Sequence, residues 1–295
     1  MNRNSYFDQK VFIAASGNNL KKIDGVQSFD GDWSLPVTEI TANGYGFVED
    51  VVEGTLEGSV TIDKIITSQQ NIFTPLFDKT LSGTLCYGAD QSYDKSFSFL
   101  NGHISSYSSA CEVNGLATEN VNLSCYGGTI GVGPTGTTVD DDNTVYIAKA
   151  GDMFLAISNP DDPTDRLDLT DAVQSYNLTL TIDRAVIEPG IGSDFKQPAA
   201  NLLVQYPITL ETSFELLVTQ EESPTMLNLV CVPTEKDISI ILRNCSPAVD
   251  IRNFNIGTSK LISHSNSSSV DNNMTVTLDF IRYIKDIADL AAIIT

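Results

Sequence analysis

Positive charge is what this chain has least of. Seventeen Lys and Arg stand against 38 Asp and Glu, for a formal net charge of −21 and a pI near 4.2. Tight binding to phosphates needs clustered cations, so a grip on nucleic acid is excluded, and DNA held nearby is repelled. Both halves share the bias: residues 1–140 hold 16 acidic and 7 basic side chains, and the remainder holds 22 and 10. Histidine occurs twice, at His103 and His264, with no third ligand at metal spacing. Tryptophan occurs once, at Trp33, too thin a supply for the aromatic platforms of a sugar site.

Other absences narrow the class further. No stretch approaches the ~18 apolar residues of a membrane span, and the N-terminal segment has no apolar run of signal-peptide length. Synthesis in a cytoplasm without ordinary export is therefore expected, and no membrane partner. The five cysteines (Cys86, Cys111, Cys125, Cys231, Cys245) are odd in number and lack CxxC spacing, so they read as free, mostly buried thiols. The Asn-x-Ser/Thr triplets at Asn122, Asn177, Asn244, Asn266 and Asn273 read as by-products of a Ser/Thr/Asn-rich chain. No nucleophile elbow, phosphate loop or dinucleotide fingerprint occurs. Asp140–Asn143 and Asp161–Asp165 lack calcium-loop spacing and read as solvated acidic loops. The sequence nominates no catalytic, cofactor-binding or metal-binding residue; function falls to shape, surface and assembly.

What is present is alternation. Asn177-Leu-Thr-Leu-Thr-Ile182, Ser59-Val-Thr-Ile62, Val121-Asn-Leu-Ser-Cys125 and Met274-Thr-Val-Thr-Leu-Asp-Phe280 all place apolar residues at every second position, as half-buried strands do. The expected class is all-β with one or two short helices. Ile66–Lys79 is one helical candidate, shortened or broken at Pro75. The tail is the other, with Ile284, Ile287, Leu290 and Ile294 on one side; that stripe packs on its own domain or docks on a neighbouring subunit. The Gly- and Asp-rich stretch Gly127–Asn143 reads as a flexible boundary. It divides the chain into a first β domain (1–130), a linker (131–144) and a second β domain with the helical tail (145–295).

The two parts echo each other. Val26-Gln-Ser-Phe29 matches Val173-Gln-Ser-Tyr176 at an offset of 147. Ser106–Gly115 matches Ser263–Asn272 at an offset of 157: a Ser-rich strand, a valine, a turn-forming pair, then an alternating strand. A third echo sets Val60-Thr-Ile-Asp-Lys64 against Leu180-Thr-Ile-Asp-Arg184, its offset of 120 implying an insertion around Gly44–Gly58 of the first half. The order of matches indicates an internal duplication.

The second half, in the order Val173–Gly190, Tyr206–Leu217, the Ser-rich hairpin and Met274–Phe280, resembles the tail tube (major tail) proteins of long-tailed bacteriophages. The resemblance rests on a VQS strand, an acid–base pair at Asp183-Arg184, and an apolar strand from Pro207 to Phe214 ending in Ser-Phe. The first half shares the opening Gly25–Ser28 and the closing hairpin. The resemblance implies tandem tail-tube-like β-sandwich or barrel domains and self-assembly into stacked homo-oligomeric rings. It also implies transient, non-adhesive passage of double-stranded DNA during genome ejection. Further partners it implies are the tape measure, terminator and distal tail proteins, in a virion tail assembled in the host bacterial cytoplasm. Rings of this kind hold six tube domains, so a duplicated chain would need three copies. Carboxylates lining the lumen would repel the genome; the Glu49–Glu57, 140–143 and 161–168 loops are equally placed to lie outside. Three alternatives stay open: a distal-tail, terminator or baseplate ring protein, an effector-carrying tube of a contractile injection system, and a tandem β-sandwich for adhesion or carbohydrate binding.

Overall fold

The computed structural model describes residues 9–35, 37–41, 48–53, 57–69, 73–87, 95–126, 128–130, 138–139, 145–148, 153–186, 202–218, 235–245, 248–269 and 272–294. The chain is all-β. Among these residues one short α-helix, α1 (Ile287–Ala291), and one 3-10 turn (Thr74–Leu76) interrupt the strands.

The first half runs β1 (Gln9–Ala15), β2 (Leu20–Lys22), β3 (Val26–Ser34), β4 (Val37–Thr41), β5 (Val48–Glu53), β6 (Glu57–Ile65), β7 (Leu81–Tyr87), β8 (Lys95–Glu112) and β9 (Thr118–Tyr126). Two short strands follow, β10 (Gly128–Ile130) and β11 (Thr138–Val139). The second half runs β12 (Met153–Asn159), β13 (Asp162–Asp168), β14 (Val173–Thr181), β15 (Arg184–Val186), β16 (Leu202–Val204) and β17 (Ile208–Val218). It closes with β18 (Glu235–Cys245), β19 (Ala248–Ser269) and β20 (Asn272–Ile284).

Pairing exposes a repeat. The first half orders its strands β3-β6-β9-β8-β7-β1-β2, and the second β14-β17-β20-β19-β18-β12-β13. Position for position these are the same strands in chain order. The hairpins β4–β5 and β15–β16 occupy the same interval, each a separate two-stranded sheet. The irregularities coincide as well. Gln27 is bulged out between Val26 and Ser28 opposite β6, and Gln174 between Val173 and Ser175 opposite β17. Each glutamine folds back, its side-chain amide donating to the carbonyl two residues earlier, Gly25 at 3.2 Å and Ala172 at 3.4 Å. That bond is a physical reason for the shared VQS: a bulge strands one residue from the ladder, and the Gln amide pins it to a carbonyl that also accepts from the backbone N–H of Ile65 or Leu217. A second bulge falls at Ser105 in β8 and at Ile262 in β19, 157 positions apart.

Several expectations need correction. The third echo aligns the wrong strands, because Val60–Lys64 lies in β6, whose counterpart is β17, whereas Leu180 lies in β14. The insertion inferred from it is no insertion, since both halves carry a hairpin there. Ile66–Lys79 forms no α-helix among its described residues; Pro75 starts only the 3-10 turn. The tail helix shrinks to α1, capped by the Asp286 carboxylate, which accepts from Asp289 N–H at 2.9 Å. Ile284 belongs to β20 and Ile287 is exposed, while Leu290, Ile293 and Ile294 are buried in the chain's own core. Part of the Gly/Asp-rich stretch is strand: β10 pairs with β8, and β11 runs parallel to β2. Residues 131–137 and 140–144 lie outside the described residues.

The halves are joined in one sheet. Seven residues of β14, Ser175–Thr181, pair antiparallel with Ser106–Glu112 of β8. One contiguous core runs under both, with Ile62, Val121 and Tyr107 in the first half and Leu180, Phe214 and Leu278 in the second. Gly25, which enters the β3 bulge, has φ +80°, and a Cβ there would sit 2.6 Å from the Ile65 carbonyl oxygen that faces it. A Gly25→Ala substitution is expected to cost about 1–3 kcal/mol through left-handed strain and crowding. A lowered urea midpoint with unchanged slope would show it; no change would mean that the turn relaxes freely.

Candidate functional site

Eight strands lie side by side in the order β3-β6-β9-β8-β14-β17-β20-β19 and form one band. Residues directly opposite across a ladder share a face, so the registers decide which side chains look out of the core. Starting from Asp30 on β3, one row crosses Thr61, Asn122, Ser106, Thr181 and Thr209. The next row starts at Ser28 and crosses Asp63, Asn120, Ser108, Thr179 and Glu211. The neighbouring residues on each strand, such as Ile62, Val121, Tyr107, Leu180 and Leu210, point to the core and are buried. The open face is thus dominated by hydroxyls, amides and carboxylates, with Ala110 and Ile281 among them.

Eight carboxylates stand on it among the described residues: Asp30, Asp32, Glu57, Asp63, Glu112, Glu211, Glu215 and Asp279. In register with them is a single cation, Lys260, at the end of the band opposite Ile281. Short polar side chains tie the face together. Asp63 accepts from Ser28 at 2.6 Å and from the Asn120 amide, and Asp279 accepts from Ser213 at 2.6 Å and from Ser263. Asn122 links Thr61 and Ser106 across three strands at 2.7 and 2.9 Å. Such bonds hold the side chains flat against the sheet and leave their remaining polar atoms to water.

Beneath the face, where the halves meet, lies a buried charge cluster. Glu119 on β9 stands opposite Lys64 on β6, Oε2 to Nζ 3.4 Å. Arg252 reaches it from β19 of the other half, Nε to Oε1 3.3 Å, and the Tyr107 hydroxyl donates to Oε1 at 2.8 Å. All three ions are nearly inaccessible. Burial alone would raise the Glu119 carboxyl, but Lys64, Arg252 and the Tyr107 hydrogen bond outweigh it and hold it below the usual range. Burial dominates at Lys64 and lowers its ammonium, and it pushes the Tyr107 hydroxyl up, helped by the Glu119 charge. Beside the cluster, Tyr176 of β14 shares a 2.9 Å hydrogen bond with Ser109 of β8.

The structure distributes the residues singled out from sequence as follows. Cys86, Cys111 and Cys125 are free and buried, the Cys125 thiol pushed up to about 12 by burial. Cys231 lies outside the described residues. His103 is buried in β8 and His264 exposed on β19, far apart in the band. Among the described residues no His, Cys, Asp and Glu group is placed to hold a metal, and no helix is long and apolar enough to cross a membrane. The Asp161–Asp165 segment enters β13, away from the band, and Asp140–Asn143 lies outside the described residues. Arg184 of the Asp-Arg pair turns to the first half, its guanidinium donating to the carbonyls of Phe77 and Ile104. The open-face carboxylates and the Glu119 cluster were not found from sequence. No protein-family model matches this chain, and no curated protein is significantly similar to it.

Proposed function

We propose that the chain is a structural protein that assembles with copies of itself into stacked hollow rings, a tail tube through which double-stranded DNA passes. The observation that carries this reading is the band: eight strands with a carboxylate-bearing face and, among the described residues, one cation at its end and an edge on either side with no paired strand. Facing a lumen, such a surface repels phosphate and offers no cluster of cations for it to grip, so DNA slides without adhering. At physiological salt the repulsion reaches about 8 Å, the Debye length, enough to keep a passing duplex from settling on the wall. Closing the band on itself removes both edges. The repeat supports three copies per ring, since each chain brings two equivalent four-strand units.

Negative-stain electron microscopy of the purified protein at high concentration, with mass photometry, tests the reading. Stacked hollow rings with three chains per layer are expected. Six chains per layer would keep the tube and overturn the trimer, and a single unstacked ring would favour a terminal or baseplate component. A protein that stays monomeric at every concentration would overturn the proposal.

A further inference from the structure

The internal repeat contains one strand junction that is made and one that is not. Within the chain, β14 lies with one edge on β17 and the other on β8. Its counterpart β3 has β6 on one edge, and among the described residues no strand on the other from Ser28 to Ser34. Likewise β8 carries β7 and then β14 along one edge, whereas its counterpart β19 carries β18 and then, from Ile262 onward, no described strand. The two unpaired edges are the two sides of the same junction.

We propose that β19 of one copy pairs antiparallel with β3 of the next, in the register that β8 and β14 adopt within the chain. Carrying that register through the two offsets sets Asp32 opposite Ser265, Ser34 opposite Ser263, and Leu35 opposite Ile262. The internal junction begins with Ile182 N–H donating to the Ser105 carbonyl at 2.8 Å; its counterpart is Leu35 N–H on the Ile262 carbonyl.

Three further observations point to this occupant. Leu35 and Ile262 are large apolar residues left 45% and 55% exposed, one on each edge, and the register brings them together. Burial differs between the halves where a neighbour would sit: Tyr107 and Ser109 of β8 are buried, while His264 and Asn266, their counterparts on β19, are exposed. The stretch Ile262–Ser267 holds no Lys, Arg, Asp, Glu or Pro, the residues that normally guard an edge. The two aspartates of β3 meet serines there, as Glu112 meets Ser175 in the internal junction. The proposal shares with the tube reading only that copies associate; it does not depend on DNA or on the number in a ring.

Paired antiparallel residues lie about 4.5–5.5 Å apart at Cα, within disulfide range. An Asp32→Cys chain mixed with a Ser265→Cys chain under mild oxidation is expected to give a covalent dimer. The yield should be about tenfold above Ser28→Cys mixed with Ser265→Cys, which is four residues out of register. Ser34→Cys with Ser263→Cys is a second in-register pair, and unmutated chain controls for native thiols. Cross-links in register without hollow rings would leave the pairing standing and remove the tube. Rings whose cross-links form equally out of register would leave the tube and overturn the pairing, as would the absence of cross-links in both in-register pairs.

Discussion

A Glu119→Gln chain is expected to unfold about 3–5 kcal/mol more easily than the parent, because it strands two buried cations without an anion. The parent already strains this cluster. Two positive groups share one carboxylate, and Arg252 Nη2 has no hydrogen-bond partner among the described residues. Arg252→Met should cost less, since Lys64 and Glu119 remain paired 3.4 Å apart. Replacing all three ions by apolar residues of similar volume should come out neutral or stabilising by about 1–4 kcal/mol. Urea titration followed by Trp33 fluorescence measures the series; equal losses for Glu119→Gln and Arg252→Met would show that the carboxylate is not the common partner. The pH dependence carries the same signature. Glu119 is held below its unfolded value of 4.5, so its contribution is present above that pH and is lost as pH falls through the lower folded value. Lys64 is held below 10.5, so between its folded value and that pH the unfolded chain binds the extra proton and stability rises with pH. Glu119→Gln should remove the Glu119 share of the acid limb and leave that of Asp168, which its Thr170 hydrogen bonds also hold low.

Reversing three exposed carboxylates of the open face, Asp30→Lys, Glu112→Lys and Glu211→Lys, is expected to make the chain bind DNA, which the parent should not do. The change adds six charges and takes the formal net charge only from −21 to −15, so arrangement and not net charge has to carry the effect. If each new lysine neutralises one phosphate, the logarithm of the binding constant should fall against log salt with a slope approaching about −2.7. The control reverses three exposed acids off the eight strands, Glu39, Asp161 and Asp171. Retention of the first variant on immobilised DNA, with flow-through of the parent and the control, is the expected pattern. Equal retention of both variants would show that the face has no special relation to a passing duplex.

Some of this architecture was legible before the structure, and particular residues show why. Val26-Gln27-Ser28 and Val173-Gln174-Ser175 are legible because the two halves share one bulge, and in each the bulged glutamine folds back onto the carbonyl two residues earlier. The Ser-rich hairpins are legible because their offset is the spacing of the Ser105 and Ile262 bulges. Val60–Lys64 misled because any half-buried strand alternates; Val-Thr-Ile-Asp marks burial on one side and says nothing of position in the sheet. The open face was illegible because each bulge flips the parity of the strand beyond it. Val26 and Ser28 stand two apart yet fall on rows of opposite faces, those of Lys64 and Asp63, because Gln27 between them is bulged out. The Glu119–Arg252 contact joins residues with no local pattern at all.

The 18-residue strand β8, laid along both β9 and β14, makes one of two equivalent junctions permanent. Tethered partners meet at an effective concentration that dilution cannot lower, whereas a contact between chains responds to every change in protein supply. Any assembly that uses both junctions therefore comes apart at one kind of seam only, and sheds whole chains. The two seams have been free to diverge in strength. The inner one is backed by Tyr176 and by the Arg252 ion pair, and the outer one, in the proposed pairing, by the Leu35–Ile262 contact at one end of a serine-rich edge. Under the proposed pairing, a chain that holds the unit twice gains a reversible step without losing its welded one.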